Sequence, residues 1–581
     1  MKDAAFSSAR LLALYDRISD AEDAIPRLRR FVLDLAVRGK LVEQDASDEP
    51  AAELLKRIAQ EKARLVKTGE IKNPKPLPPV EDDADFEVPP NWVWTRLGII
   101  TSYIQRGKSP KYAASDGSLV VSQKCVQWSG LDLSVAKQIT LESLAQYEDI
   151  RFLRDGDLLW NSTGTGTIGR IIRIDQVPEK LVCDSHVTVV RSLLVDPEYI
   201  RLWVQSDHVY ALIEGRAAGS TNQVELTAKM AINQVIPLPP LAEQRRIVAK
   251  VDELMALCDQ LEQARAGREA VRDRLTTASL ARLTAPETGG EAFQTHASFA
   301  LQSLPTLTTR PDQIKPLRQT ILNLAVRGKL VAQDPADGTG RELLKQVLAV
   351  PWTKKRKAID LEPDEAAMAS AFLPPANWTW ATVQALTRTD QTVTYGILKP
   401  EWVDEGVPTV RVTEMKTGEI DVAVLPKCRP ERAAKFAKTA LEPGDLLVSK
   451  DGTIGKTAFV PPELAGGNIT QHVLRFPICE QVDRRFVRLA IDAPFCQLWM
   501  VGETKGVALQ GVNVGDFRRM PIPLPPLAEQ HRIVAKVDAL MALCDQLEAS
   551  LTTTATTRSK LLNALLHEAL EPAADELEAA E

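Results

Sequence analysis

No apolar run in this 581-residue chain approaches the ~20 residues that a membrane-spanning helix needs, so no membrane partner is expected. The first 30 residues carry acids and lack a signal-peptide core, which makes the cytoplasm the expected location. Seven cysteines stand singly, without a CxxC pair, and suggest neither a zinc site nor a disulfide framework. Positive charge is in deficit. A formal net charge of −6 argues against a histone-like grip on nucleic acid, though not against a local basic face. Much of the acidic excess sits in residues 80–87 and in the tail, 575–581. No Ser/His/Asp arrangement, metal-ligand cluster or methyltransferase-type Asn/Asp-Pro-Pro-aromatic motif is present. What remains is the composition of an ordinary soluble protein, 44% hydrophobic and 25% charged, long enough for several cores.

What the chain has is a repeat. Residues 237–262, PLPPLAEQRRIVAKVDELMALCDQLE, return as residues 523–548 with changes only at Arg245/His531 and Glu253/Ala539. Prolines 239–240 and 525–526 end a strand and launch a helix, with Glu243 or Glu529 in its first turn, where the macrodipole favours an anion. Ile247, Val251, Leu254, Cys258 and Leu261, and their counterparts Ile533, Val537, Leu540, Cys544 and Leu547, alternate at spacings of four and three. This is a heptad seam, and it predicts packing of the two long helices on each other or on a partner helix. Each helix is expected to run about 40 residues, or ~60 Å. Buried, inert thiols are expected at Cys258 and Cys544.

A second repeat precedes each globular region. Residues 25–45 and 314–334 share LAVRGKLV; Ile25, Leu28, Val32 and Leu35 recur at helical spacing, with Gly39 placed as a C-terminal cap, and Leu317, Ile321, Leu324 and Gly328 repeat the pattern. The expected division is a helical region 1–45, a connector 46–90, a first globular domain 91–240, a long helix 241–283 and a linker 284–312. It then repeats as a helix 313–334, a connector 335–376, a second domain 377–526, a long helix 527–570 and an acidic tail 571–581. Both domains hold short β-type runs broken by Gly and Pro, with GDLL, GTIG and a histidine (His186, His472) recurring in order while the residues between diverge. The fold class is α+β: two mixed, mainly β domains of shared fold joined by long repeated helices.

Most motif matches fail on context. Residues 164–169 fit GxGxxG, with Asp184 at the right distance, but a strand follows where a dinucleotide site needs a helix. Residues 452–457 resemble the end of a phosphate-binding loop, yet Lys450 stands where the first glycine belongs. Asp404, Glu414 and Lys416 loosely fit the acid…ExK spacing of metal-dependent nucleases, which leaves a self-contained nuclease as an alternative reading. A coiled-coil scaffold without DNA contact is another. Matched strand positions make a structural hydrogen-bonding role the expectation for His186 and His472.

The candidate site is the set of polar loops that recur with changed contents. In the first domain these carry Gln105, Arg106, Lys108, Lys111 and Tyr112; Gln123 and Lys124; Thr163, Thr165, Thr167 and Arg170; and Asn222 and Gln223. In the second they carry Tyr395 and Lys399; Arg411, Thr413 and Lys416; Lys450, Thr453 and Lys456; and Lys505, Gln510 and Asn513. Arg, Lys, Gln and Asn can read base edges, and Lys, Ser and Thr can hold phosphates. Solvated loops would look the same residue by residue; the recurrence of the whole set in both halves is what points to DNA.

With PLPPLAEQ and a heptad helix twice, LRRFVLDLAVRGKLV and LRQTILNLAVRGKLV, and GDLL…GTIG before each long helix, the chain resembles the specificity (S) subunit of type I restriction–modification systems over nearly its whole length. The resemblance implies two target-recognition domains, each binding one half of a bipartite double-stranded DNA site. It implies that the repeated helices form an antiparallel coiled coil with a pseudo-twofold, docking two methyltransferase (M) subunits, with two motor/nuclease (R) subunits in the full complex. S-adenosylmethionine, ATP and Mg²⁺ would belong to those partners and no cofactor to this chain, which would be non-catalytic. Many relatives begin directly with a recognition domain; the leading LAVRGKLV helix here resembles a rotated repeat order. Identical helices can present identical surfaces to identical partners, while differing domains make the site asymmetric in sequence.

Overall fold

The computed structural model describes residues 21, 23–80, 86–164, 166–210, 225–284, 290–353, 361, 372–415, 418–502, 504–505 and 511–568, together with Ala9, Leu12, Ala13 and Tyr15. The chain divides into two units, Met1–Gly267 with Ala555–Glu581, and Arg268–Thr554.

In unit 1 the amphipathic helix Ala24–Val37 buries Ile25, Leu28, Val32 and Leu35. It stops at Gly39, whose φ of +72° only glycine adopts without strain. Lys40 N–H donates to Leu35 O at 2.9 Å, closing a Schellman turn. A Cβ on Gly39 would lie 2.4 Å from Pro89 Cγ and 3.2 Å from Trp92 Cζ2, so the cap is also a packing surface for the PPNW segment. Unit 2 repeats this with helix Ile314–Val326, Gly328 (φ +66°) and Lys329 N–H to Leu324 O at 3.0 Å; there a Cβ would meet Pro375 Cγ at 2.3 Å.

Each globular domain is tied shut at its base by an antiparallel pair, Val93–Arg96 with Val235–Leu238 and Thr379–Thr382 with Pro521–Leu524. Above the pair in unit 1 is an antiparallel sheet in the spatial order Thr101–Arg106, Val187–Ser192, Leu158–Asn161, Ile171–Arg173. Unit 2 has the same order in Thr394–Tyr395, Val473–Phe476, Leu446–Ser449 and Thr457–Phe459. A second, mixed sheet runs Val182–Cys183, Ser118–Val121, Lys137–Ile139, Tyr112–Ala113 in unit 1. Its counterpart runs Asn468–Ile469, Val407–Val410, Lys427–Cys428, Trp402–Val403, and in both the first pair is parallel. The two domains therefore share one topology. The recurrent GDLL is a structural device: Asp157 holds Arg191 at 2.7 Å and accepts from Arg154 N–H at 2.9 Å, while Asp445 holds Arg475 at 2.5 Å and accepts from Glu442 N–H at 2.9 Å.

The long helices are Leu241–Thr284 and Leu527–Glu568, 44 and 42 residues, each ~65 Å at 1.5 Å per residue. Their first turns hold the buried carboxylates Glu243 and Glu529. Trp92 Nε1–H donates to Glu243 at 3.0 Å and Gln44 Nε2 at 2.6 Å; Trp378 Nε1–H and Gln333 Nε2 donate to Glu529 at 3.0 and 2.8 Å. Burial pushes both carboxyls above their ordinary range, against the pull of these donors. The neighbouring Gln244 and Gln530 accept from the N–H of Asp196 and Asp483, each at 2.9 Å, fastening the globular domain to the helix. Arg246–Asp48 and Arg532–Asp337 ion pairs, both 2.6 Å, complete the joint.

The heptad seam finds a partner within its own unit. Ile247, Val251, Leu254 and Cys258 are buried in the same cluster as Leu28, Phe31, Val32 and Leu35 of the short helix, and Ile533, Val537 and Cys544 share a cluster with Ile314, Ile321 and Leu322. Arg29 reaches Asp259 (2.5 Å) and Glu262 (2.9 Å), and Arg318 reaches Asp545 (2.6 Å) and Glu548 (2.8 Å). Leu261 and Leu540 are half-buried and Leu547 is exposed, so the seam fades toward the C-terminal side.

The connectors contain the helices Ala51–Lys67 and Gly340–Ala349, the latter started by a Thr339/Glu342 capping box. The linker 284–312 contains the helix Gly290–Leu307. His186 and His472 lie in the turns just before the strands Val187–Ser192 and Val473–Phe476, not on them.

Glu243→Gln offers one acceptor oxygen where the carboxylate offers two, and so strands a buried donor at a cost of ~1–3 kcal/mol. We expect a clearly lower urea midpoint for the full chain. Glu253→Ala, which copies the residue at position 539, is expected to stay within about 0.5 kcal/mol of the parent.

Candidate nucleic-acid interface

The polar loops of unit 1 converge because the backbone is packed too closely there to admit a side chain. A Cβ on Gly107 would lie 2.1 Å from Asp184 O and 2.2 Å from Cys183 O; at the matching Gly396 of unit 2 it would lie 1.8 Å from Ile469 O. These glycines bring the loop after the first domain strand against the turn that carries His186 or His472. Arg106 donates to Ser185 O at 2.9 Å and pairs with Glu225, and Ser109 Oγ lies 3.0 Å from Ser185 Oγ. His186 Nδ1 is 2.7 Å from Thr163 Oγ1, which donates to Gln123 Oε1 at 3.1 Å. Both ends of Arg170 are engaged, with Gln127 Oε1 and Gly166 O at 3.0 Å each. Tyr112 is exposed, with its hydroxyl 3.4 Å from Asp184 Oδ2 and Lys137 Nζ 4.7 Å from its ring; burial pushes the Asp184 carboxyl up.

In unit 2 the corresponding loops enclose a cleft of about 500 Å³ lined by Lys399, Trp402, Arg411, Thr413, Gly452, Thr453, Thr470, Gln471 and His472, among others. Arg411 lies over the Trp402 ring at 5.8 Å and is held by Glu414 at 2.6 Å. Lys450 Nζ (2.7 Å) and His472 Nδ1 (2.8 Å) share Asp451 Oδ2. A further hairpin abuts this turn, Val512 N–H donating to Lys450 O at 2.9 Å, as Leu226 N–H donates to Ser162 O at 2.8 Å in unit 1.

The structure thus divides the predicted residues by what their side chains already hold. Arg106, Arg170, Lys450 and Thr167 (to Thr163 O, 3.1 Å) brace the loops. Asn513 caps the helix Val514–Arg519 by accepting from Gly515 N–H at 2.9 Å, and its side chain remains exposed. Gln105 accepts from Arg151 at 2.9 Å, and Lys108 reaches Gln146 O at 3.2 Å. Lys111, Tyr112, Lys124, Tyr395, Lys399, Arg411, Thr413 and Thr453 are exposed, while Gln123, Thr163 and Lys456 are half-buried. Thr165, Asn222, Gln223, Lys416 and Gln510, and the side chain of Lys505, lie outside the described residues.

The sequence reading overlooked Gln127, Trp402, Gln471 and above all Trp128, which is 60% exposed on the turn between Val126–Gln127 and Gly130–Leu131. The QWSG turn was the available signal, since a tryptophan beside Ser-Gly has little chance of joining a core.

The nuclease reading fares badly on geometry. Glu414 accepts from the Arg411 guanidinium, from Arg411 N–H at 2.9 Å and from Thr413 Oγ1 at 2.7 Å, and although burial acts to raise it, these donors hold its carboxyl below the usual range. Both oxygens of this carboxylate thus already accept hydrogen bonds from within the loop. Strands, not helices, follow both glycine-rich turns, Ile171–Arg173 and Thr457–Phe459. Among the described residues no group of three or more His, Cys, Asp or Glu side chains is placed to hold a metal ion, and no helix is long and apolar enough to cross a membrane.

A scaffold repeated almost unchanged, carrying two domains of one topology with different loop chemistry, defines a two-headed recognition module. The type I restriction modification DNA specificity domain matches the chain twice, over residues 99–267 and 398–556. The chain belongs to this family of type I restriction–modification specificity subunits. The EcoEI specificity subunit of Escherichia coli is 30% identical over 594 residues and the EcoAI specificity subunit 29% over 591, each alignment covering 94% of both chains. Among solved structures, a chain from work on complex assembly and conformational transition of the type I R-M system matches with a TM-score of 0.48 at 20% identity, covering 83% of this chain and 98% of that one. The HsdS subunit from Thermoanaerobacter tengcongensis gives 0.41 at 20%, covering 84% and 98%.

If Glu414 serves to hold Arg411, Glu414→Ala lowers stability by ~1 kcal/mol, the exposed Arg411 end limiting the effect. Mg²⁺ or Mn²⁺ is expected to leave the melting temperature of the parent chain unchanged. A metal-dependent rise that disappears in Glu414→Ala would restore the nuclease reading.

Proposed function

We propose that this chain is the non-catalytic DNA-reading subunit of its complex, binding an asymmetric bipartite site in double-stranded DNA with one half read by each recognition domain. The observation that carries this is the contrast between the domains. One topology presents Lys111, Tyr112, Lys124 and Trp128 in unit 1, and Lys399, Trp402, Arg411, Thr413 and Thr453 in unit 2. Side chains that reach base edges set sequence, whereas the braced residues fix register.

The long helices are assigned as spacer and docking surface in an antiparallel coiled coil with a pseudo-twofold. In support, each unit combines the start of one long helix with the end of the other. In unit 1 Arg27 bonds Ser559 Oγ at 3.0 Å and Leu562 is buried; in unit 2 Arg310 holds Asp273 at 3.0 Å and Leu280 is buried. A helix of ~65 Å is comparable in length with roughly two turns of B-DNA. Two M subunits would dock on the two like surfaces, and two R subunits would join them for restriction, with S-adenosylmethionine, ATP and Mg²⁺ held by those partners and none by this chain. At a net charge of −6, much of the grip on phosphate would come from the partners.

Replacing residues 91–240 with the matching domain of another specificity subunit is expected to change one half of the methylated sequence and leave the other intact. Sequencing methylated bases in the host genome reads this out, and an unchanged site after the swap overturns the assignment.

A further inference from the structure

A tryptophan occupies the tip of a two-residue hairpin turn in the first domain, a place where turn chemistry favours glycine, asparagine or aspartate. Gln127 pairs with Gly130 across the turn, which leaves Trp128 and Ser129 as its central residues, both exposed. The indole is 60% exposed, and among the described residues its side chain makes no hydrogen bond or ring contact. The hairpin beneath it is anchored. Val126 is buried in the domain core with Cys125, and Leu131 packs against them. Asp132 N–H donates to Cys125 O at 2.8 Å. The Gln127 amide donates to Lys124 O at 2.6 Å and accepts from Arg170 at 3.0 Å. Gly130 holds φ at +123°, a conformation that suits glycine alone. The charge around the tip is of one sign. Lys124 is exposed, and the single acid of residues 122–132, Asp132, is spent on the Ser134 N–H and hydroxyl at 2.9 and 2.6 Å. An apolar tip on a cationic base is complementary to a polyanion. Unit 2 lacks this device: between the matching strand Val407–Val410 and the matching cap Asp421, residues 411–420 contain no aromatic.

The groove floors of an intact duplex are lined by polar base edges, and the main apolar group among them, the thymine methyl, is far smaller than an indole. The large apolar surfaces of DNA are the base faces, which a protruding apolar side chain reaches by entering a base step. We propose that Trp128 is a wedge that enters one base step in the half-site read by the first domain and partly unstacks it, with Lys124 on the adjacent phosphate. This rests on the DNA-reading function above and adds to it a requirement for deformable sequence. Pyrimidine–purine steps open most readily, so the half-site of the first domain contains such a step, selected without a hydrogen bond to a base edge.

The test uses the full chain assembled with its methyltransferase partners, at saturating concentration. The duplexes carry the mapped site with 2-aminopurine, whose fluorescence rises on unstacking, at each purine of that half-site in turn. At least one position is expected to brighten several-fold with the parent and to stay dark with Trp128→Ala; a base that the methyltransferase itself extrudes brightens with both. Trp128→Ala is expected to weaken binding roughly tenfold without lowering the melting temperature, because the side chain is exposed. The proposal is overturned if no position distinguishes the parent from Trp128→Ala, if that variant binds as tightly as the parent, or if the half-site holds no pyrimidine–purine step. It is overturned also if Trp128→Ala no longer assembles with its partners, which would make the tryptophan a protein contact. Failure of the assembled parent to bind the matched duplex at all would instead overturn the DNA-reading function itself.

Discussion

One buried carboxylate at the head of each long helix organises this molecule. Glu243 and Glu529 sit where three separate segments meet: the stretch just after the LAVRGKLV motif through Gln44 or Gln333, the domain entrance through Trp92 or Trp378, and the long helix itself. A charge taken out of water is costly unless its acceptors are filled, and each donor here comes from a different stretch of chain. None of the segments can shift without stranding a buried polar group. That explains why PLPPLAEQ, LAVRGKLV and the PPNW-type motifs are the parts that the two halves keep. The glycine caps add a second constraint at the same place, since Gly39 and Gly328 must both turn left-handed and admit a proline ring.

A tolerant surface sits on that intolerant base. Within each domain the Asp157–Arg191 and Asp445–Arg475 pairs, together with Gly107 and Gly396, fix where the loops emerge. They do not fix what the loops carry. His186 bonds a threonine while His472 bonds an aspartate, so even a matched histidine serves different local networks from matched turns. Exposed substitutions cost little stability, so the loops are free to change while the framework is not.

The scaffold was legible in the sequence because repetition exposed it, and because helical periodicity and capping residues act locally. The strands around GDLL, GTIG and the histidines were legible for the same reason. The helices Ala51–Lys67 and Gly340–Ala349 were not, although Leu54 and Ile58, and the Thr339/Glu342 box, were available signals; their high polarity masked them. The candidate site was legible as loops but not as contacts. Whether Arg106 is presented or spent on Ser185 O depends on a turn 79 residues away in the chain, and no local pattern contains that. Asn513 illustrates the limit from the other side: a residue type able to read bases also caps a helix here, a role set by the N–H two residues further on.

The contrast between the two heads follows from the same logic. A duplicated frame delivers loops to equivalent places, but the groups at those places decide whether they satisfy each other or wait for a ligand. In unit 1 Gln123, Thr163 and His186 close on themselves, which leaves the protruding Trp128 hairpin and the exposed Lys111 and Lys124 as the presented surface. In unit 2 Lys450 and His472 close instead on Asp451, with Gln471 against His472, beside an open cleft between the loops. Two domains of one topology can therefore present different surfaces without any change in the frame that holds them.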